Sequence, residues 1–457
     1  VQVLDANGAP KGQPLAIAGA GPHPWAPTIT GLRDGGFVIT WTNDTSNATI
    51  DTFAQRFDAD GIAQGGITRV NSYLPDGQGA SIVSALDDGG YVIAWHSLNQ
   101  DGSSYGVYAQ RYNATGQTVG GEFRVNQSTA SDQLLAGVVG LPGGRFAVTW
   151  YTRQSGSWEL YQRQFDASGA GGSESRITAW GGSWGPAWAS QSVALKGGGY
   201  VTVWQSNDGS GNVNDVYVQR FADNGALLGA PIRVNSYRLG EQSSPTVAAT
   251  ADGGFVVGWQ SAGQDGSGLG IYAQRFDPVG GRVGNEFRLS DVTAGDQSLP
   301  SFAPTSDGGF IATWGGAAAV AKLYQSISTS GTVQGTAGND VLVSTSAQEA
   351  FFGGQGADVF RFLGPDLGGD AILDFQSGID RIEVLGSAFG SLPTGQLDAG
   401  RFALNAPGDA DDRFVFNTAT GVLSYDPDGT GTMAATAVAL LNVRSLSASD
   451  IWVAAPT

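Results

Sequence analysis

Six tryptophans set the frame of this chain: Trp41, Trp95, Trp150, Trp204, Trp259 and Trp314 follow one another at intervals of 54, 55, 54, 55 and 55 residues. Each closes an apolar run that begins at a Gly-Gly turn. The run Ala251 to Phe276, ADGGFVVGWQSAGQDGSGLGIYAQRF, shows the unit most fully. A short apolar stretch leads to a DGG-like turn, then an apolar strand ending in Trp, a polar loop, a strand of the form (F/Y)xQR(F/Y), an Asp/Gly turn and an RVN-like strand. Such a module cannot bury both faces of its own sheet, so it must stack on copies of itself. Six units of four short strands read as an all-β, six-bladed β-propeller over residues 1–333. Glycine, 71 residues and about twice the usual share, supplies the turns.

The N-terminal VQVLDANGAPKGQPLAIA resembles the second half of a unit, and the sixth unit stops before an RVN-like strand. Pairing of these two ends would close the ring and remove exposed sheet edges. Within a unit, Phe255 to Trp259 is apolar at every position but Gly258, as expected of a strand covered on both faces. The repeated tryptophans and Gln-Arg pairs read as architecture. Unit three reverses the pair to Arg163 and Gln164, so its order carries no chemistry.

Function is therefore sought in what does not repeat. The loops between second and third strands, and those leading into the next unit, leave on the same face. They hold Trp25, Trp158, Trp180, Trp184, Trp188, Tyr73, Tyr105, Tyr151, Tyr237 and both histidines, His23 and His96. Aromatic rings with polar edges offer the platforms on which sugar rings stack. The polar clusters Asn99 to Ser103, Asn207 to Ser210 and Gln264 to Ser267 could bind Ca²⁺ or hydroxyls, but they read first as Asx turns, which need nothing bound.

A net charge of -18 argues against a nucleic-acid partner, which would need clustered Lys and Arg, and favours plain solubility or bound cations. No cysteine is present, which removes disulfides and thiolate metal sites and suits a secreted bacterial protein. No apolar run reaches the roughly 18 residues of a membrane helix. Val1 is not followed by a charged n-region and apolar core, so an export signal is expected elsewhere or already removed.

From Gly335 the pattern becomes nonapeptides, GTAGNDVLV, STSAQEAFF and GGQGADVFR, with Asp340, Glu349 and Asp358 nine residues apart. The first and third match GGxGxDxUx, in which glycine turns expose carbonyls beside a carboxylate, hard oxygen ligands for Ca²⁺. Residues 334–457 resemble the C-terminal module of serralysin-like RTX exoproteins. That resemblance implies a parallel β-roll and β-sandwich, Ca²⁺ as cofactor, and export by type I secretion machinery through an uncleaved C-terminal signal. It implies Asp340 and Asp358 as roll ligands, with Asp374, Asp380, Asp426 and Asp428 as further metal candidates. Protease activity does not follow, because no HExxH occurs.

Three functions follow. The first is a secreted, lectin-like or adhesive propeller that binds extracellular polysaccharide through Trp25, Trp158, Trp180, Trp184, Trp188 and Tyr237. The second is a polysaccharide lyase or glycoside hydrolase on the same face. For a lyase, His23, His96 or Tyr151 would transfer protons and Arg238 would clamp a uronate carboxylate. For a hydrolase the sequence singles out no carboxylate pair. The third is a structural matrix or fibre subunit, which needs no site. Binding is the leading expectation.

Overall fold

A computed structural model describes residues 2–3, 11–17, 24–45, 49–154, 157–179, 190–207, 213–290, 292–305, 309–316, 319–324, 331–336, 338–344, 349–365 and 370–455. The chain divides into two compact units, Val1–Val247 and Ala248–Thr457.

The period of the tryptophans is the period of the sheets. Blade 1 runs Pro24–Gly31, Phe37–Thr45, Thr49–Phe57 and Ala63–Arg69, and blade 2 runs Gln78–Ala85, Tyr91–Leu98, Tyr105–Tyr112 and Thr118–Arg124. Blade 3 comprises Gln133–Leu141, Arg145–Gln154, Ser157–Phe165 and Ser175–Ala179. Blade 4 comprises Ser190–Ala194, Tyr200–Ser206, Asp215–Phe221 and Leu227–Arg233. Blade 5 holds Gln242–Ala249, Phe255–Ala262, Leu269–Phe276 and Arg282–Arg288. Among the described residues blade 6 has three strands, Ser298–Pro304, Phe310–Gly315 and Val320–Tyr324. Each is an antiparallel meander in chain order, and together they are the six blades of a β-propeller.

The six tryptophans are at most 5% exposed. Trp41, Trp150 and Trp204 stack on Phe53, Tyr161 and Tyr217 of the neighbouring strand at 6.0–6.2 Å. At the opposite hairpin end, Tyr91 and Tyr112, Phe146 and Phe165, Tyr200 and Phe221, and Phe255 and Phe276 stack at 4.5–4.9 Å. In blades 3 and 4 two aromatic pairs thus clamp one hairpin. Phe255 to Trp259 is buried throughout, as its composition predicts.

The Gln-Arg pair does two separate jobs. A bulge interrupts the pairing of the third and fourth strands, between Ala109 and Arg111 in blade 2 and between Ala273 and Arg275 in blade 5. Gln110 Nε2 donates across the bulge to the Gly120 carbonyl at 3.4 Å, and Gln274 Nε2 to that of Val283 at 3.2 Å. The arginine reaches back to the DGG turn, where Arg56, Arg111 and Arg275 pair with Asp34, Asp88 and Asp252. That aspartate also shapes the turn, since Gly254 N donates to Asp252 Oδ1 at 3.1 Å. Both turn glycines are required. Gly253 has φ of +87°, and a Cβ on Gly254 would lie 2.3 Å from the Phe276 carbonyl oxygen. In blade 3 the reversed Arg163 sits at the glutamine's place and performs its task, donating through Nε to the Gly172 carbonyl at 2.6 Å.

A third network joins each of three blades to the loop that follows. Asn71 Nδ2 donates to Asp51 Oδ1 at 2.7 Å, to the Tyr73 carbonyl at 2.9 Å and to Gln78 Oε1 at 3.1 Å, while Asn71 Oδ1 accepts Thr52 N. Asn126 repeats this with Asp101, the Ser128 carbonyl and Gln133. Asn235 bonds Asp215 and the Tyr237 carbonyl in the same way. All three asparagines are 2% exposed or less.

After Tyr324 the pairing changes. Gly331–Gln334, Glu349–Phe352, Asp370–Ile372 and Thr436–Leu441 pair in parallel in one sheet. Val341–Val343, Val359–Phe362, Arg381–Leu385 and Ile451–Ala454 pair in parallel in a second. Successive strands alternate between the two sheets, and Phe351, Phe360, Phe375, Ile382, Leu423 and Val453 belong to one buried core.

Replacing Asn71 with Ala strands the buried Thr52 N–H and the oxygens of Asp51 and Gln78 together. The expected cost is roughly 2–4 kcal/mol, read as a lowered urea midpoint with an unchanged slope. Asn235→Ala, in another blade, is expected to add to it independently.

Candidate functional site

The residues singled out in the first 247 positions stand near the end of their blades where second and third strands are joined. Trp25 opens the first strand of blade 1 opposite Thr42. His96 pairs across from Gly79 and Val107, Tyr151 from Leu134 and Leu160, and Trp158 from Arg153. Tyr237 and Arg238 occupy the loop anchored by Asn235. His23, Trp180, Trp184 and Trp188 lie outside the described residues.

Exposure divides these residues in a way that loop position alone did not suggest. Trp25 is 45% exposed, Arg238 is exposed and Tyr237 is half-buried. His96, Tyr151 and Trp158 are buried, at 9%, 2% and 8%. The expectation of loop placement fails for these three because the hairpin strands continue beyond the tryptophan. Tyr91–Leu98 takes in His96, Arg145–Gln154 takes in Tyr151 and Ser157–Phe165 takes in Trp158. His96 meets Tyr105 edge-on at 5.1 Å. Tyr105 in turn packs on the cluster that contains Leu134, Tyr151, Trp158 and Leu160. Tyr151 and Trp158 thus belong to the core shared by blades 3 and 4, where they meet Tyr200, Trp204 and Phe221, with Tyr105 of blade 2 packed against it.

Burial also sets their proton affinities. It lowers the His96 pKa from 6.5 to about 4, and it raises that of Tyr151 above the ordinary phenol range despite a hydrogen bond with Ser190. His96 is thus a neutral imidazole at neutral pH, and Tyr151 keeps its proton. Neither is tuned near the working pH, as a general acid or base requires.

Two features missed at first belong to this end of the molecule. Leu74 is 48% exposed and Leu239 is 73% exposed, beside Tyr73 and Tyr237 in matching loops. The recurrence of NSY in Asn71-Ser72-Tyr73 and Asn235-Ser236-Tyr237 is the signal that marks them.

The candidate metal ligands form a ladder along the parallel strands. Thr336 N donates to Asp340 Oδ2 at 2.6 Å, Asp340 N to Asp358 Oδ1 at 2.9 Å, and Asp358 N to Asp380 Oδ1 at 2.9 Å. Asp358 and Asp380 thus each receive the N–H of the aspartate one rung earlier, while Asp340 receives one from within its own turn. Gln376 N takes the second oxygen of Asp380, and Gly353 N and Gly354 N take both oxygens of Asp374. Asp426 Oδ1 holds Asp428 N and Gly429 N in a turn, and Asp428 Oδ2 accepts Met433 N. Asp374, Asp380 and Asp426 are thus engaged by main-chain donors. Asp358 Oδ2 and Asp428 Oδ1 are buried without a hydrogen-bond partner.

Burial raises the pKa of Asp374 and of Asp380 to about 6, and raises that of Asp358. Among the described residues no three His, Cys, Asp or Glu side chains gather as a metal-holding group. The orphaned oxygen of Asp358 does fit a hard cation. It faces Gly353, where a Cβ would lie 2.4 Å away, so the glycine leaves that oxygen open.

No protein-family model and no curated protein sequence matches the chain. Solved structures similar to it include an α-L-arabinofuranosidase from Fusarium graminearum in complex with an iminosugar inhibitor. It is 13% identical with a TM-score of 0.43, covering 66% of this chain and 93% of that one. An α-L-arabinanase from Penicillium chrysogenum is 15% identical with a TM-score of 0.41, covering 66% and 94%. The sialidase NanB from Streptococcus pneumoniae is 9% identical with a TM-score of 0.44, covering 66% of each chain.

The depressed pKa of His96 has a measurable consequence. Its unfolded form protonates near 6.5 while the folded form stays neutral down to about 4, so the unfolded state binds the extra proton. Stability is present above 6.5 and is lost as pH falls through that window, by roughly 3 kcal/mol. His96→Phe is expected to flatten the slope of unfolding free energy between pH 6.5 and 4, followed by urea titration at each pH.

Proposed function

We propose that this is an extracellular, Ca²⁺-binding propeller protein that binds polysaccharide through exposed aromatic and cationic loops. One observation carries the binding: Trp25, 45% exposed, shares the hairpin end of its blades with half-buried Tyr73 and Tyr237 and exposed Arg238. A tryptophan or tyrosine face stacks on the apolar face of a sugar ring, and a guanidinium meets carboxylate or hydroxyl oxygens. Binding is favoured over turnover because the described proton-transfer candidates, His96 and Tyr151, are buried and held away from neutral pKa values.

The test is retention on a panel of acidic and neutral polysaccharides, with unsaturated products and reducing ends followed in the same samples. Trp25→Ala and Arg238→Ala are expected to weaken retention about tenfold, some 1.4 kcal/mol, and His96→Phe to leave it unchanged. Steady product formation that His96→Phe abolishes would replace the binding reading with the lyase one.

The C-terminal nonapeptides support Ca²⁺ at Asp340 and Asp358 and export by type I secretion machinery. The unpartnered Asp358 oxygen is the structural support for the metal. Cation binding to the folded form alone adds directly to folding stability. Asp358→Ala is accordingly expected to lower the melting temperature in Ca²⁺ and to change it little in chelator. An equal melt in Ca²⁺, with unchanged Ca²⁺ stoichiometry, argues against the assignment.

A further inference from the structure

The asparagine network of blades 1, 2 and 4 is broken in blade 5. Blade 5 keeps the frame of blade 2 in register: Trp95 pairs with Tyr108 and Tyr108 with Arg124, as Trp259 pairs with Tyr272 and Tyr272 with Arg288. The loop aspartate is in place, with Ser267 N donating to Asp265 Oδ1 at 3.1 Å as Ser103 N does to Asp101 Oδ1. The glutamine is in place too. Gln297 Nε2 donates to the Ala294 carbonyl at 3.3 Å and the Gly295 carbonyl at 2.9 Å, as Gln133 Nε2 does to Ala130 and Ser131. These bonds fix which end of each amide is which.

The hub itself differs, because the residue corresponding to Asn126 is Ser290. Ser290 Oγ replaces only the acceptor half of the asparagine, taking Ile271 N at 3.3 Å. Nothing replaces the amide nitrogen that in blade 2 meets Asp101 Oδ2 at 3.3 Å, the Ser128 carbonyl at 2.8 Å and Gln133 Oε1 at 3.0 Å. The consequence is visible on both sides of the gap. Asp265 Oδ2 and Gln297 Oε1 are buried without a hydrogen-bond partner, and Gln297 is 6% exposed. Gly270 keeps the carboxylate turned inward, since a Cβ there would lie 2.8 Å from Asp265 Oδ2.

We propose that this gap in blade 5 is a binding site for a hard cation of the Ca²⁺ type. Its oxygens would be Asp265 Oδ2, Gln297 Oε1, Ser290 Oγ and the main-chain carbonyl of Val292, which corresponds to that of Ser128. Carboxylate, amide, hydroxyl and carbonyl oxygens are the donors Ca²⁺ selects. A second carboxylate, Asp296, holds the same loop by accepting Leu269 N at 2.9 Å and strengthens the local negative field. The cation replaces a donor that blades 1, 2 and 4 carry covalently, and it makes the order of the Gln264 to Gly270 loop dependent on metal. This site is separate in sequence from the nonapeptide carboxylates.

Ser290→Asn restores the residue of blades 1, 2 and 4 and tests the assignment. By equilibrium dialysis of the full chain with Ca²⁺, the variant is expected to bind one ion fewer. Its melting temperature in chelator is expected to rise by roughly 2–4 °C, with a smaller gain on adding Ca²⁺. The reciprocal change Asn126→Ser opens the same gap in blade 2 and is expected to add one ion; should it not fold, the Ser290→Asn count decides. Asp358→Ala, run alongside, marks the ions held by the C-terminal segment. Unchanged stoichiometry in Ser290→Asn overturns the proposal. So does an equal rise in melting temperature with and without Ca²⁺, the result expected if a water molecule fills the gap.

Discussion

The buried asparagine at the close of a blade is the interaction on which the rest of this fold turns. A propeller blade is a plain four-stranded meander, and the difficult part is the passage from its outer strand to the inner strand of the next. That passage must leave the sheet, cross the end of the blade and re-enter without stranding main-chain groups. Asn71, Asn126 and Asn235 solve it with one side chain, accepting a strand N–H and donating to a carboxylate and a loop carbonyl, and Asn71 and Asn126 donate also to the glutamine that opens the next blade. Because each bond is buried, a missing partner is costly. The network therefore specifies one loop conformation and holds Tyr73 and Tyr237 in fixed places.

The division of labour around it explains why the repeat is strict in some places and loose in others. Where the backbone leaves no room, the residue type is held by geometry, as with Gly90 and Gly254, each packed under a carbonyl. Where only a donor is needed, substitution is tolerated, as Arg163 shows by donating to the Gly172 carbonyl from the glutamine's place in blade 3.

The blade count was legible because tryptophan spacing and Gly-Gly turns repeat with the physical period of the module. The parallel pairing after Gly331 was legible because nonapeptides bring Asp340 and Asp358 to equivalent turns, as the N–H of the first donating to the second reflects. Burial at the strand ends was not. His96 and Tyr151 follow the tryptophan directly, and the pattern alone does not say whether a strand stops there or runs on. The hairpin partners decide it, since Val107 and Leu160 continue the ladder opposite them. The carboxylate ladder was half legible. Acidic residues beside glycines are visible in the chain, but their capture by main-chain N–H groups of the previous turn appears only when the turns are stacked.

The placement of the hub aspartates carries one more consequence. In blades 1 and 4 the asparagine bonds to Asp51 and Asp215, twenty residues earlier, at the start of the third strand. In blade 2 the partner is Asp101, twenty-five residues earlier and in the loop, and blade 5 places Asp265 at that same loop position. Blades 1 and 4 thus share one arrangement and blades 2 and 5 another. The NSY loops of blades 1 and 4 form a matching pair. A polymer chain would meet two versions of one contact on a single molecule, so that weak attachment at each would multiply into avidity.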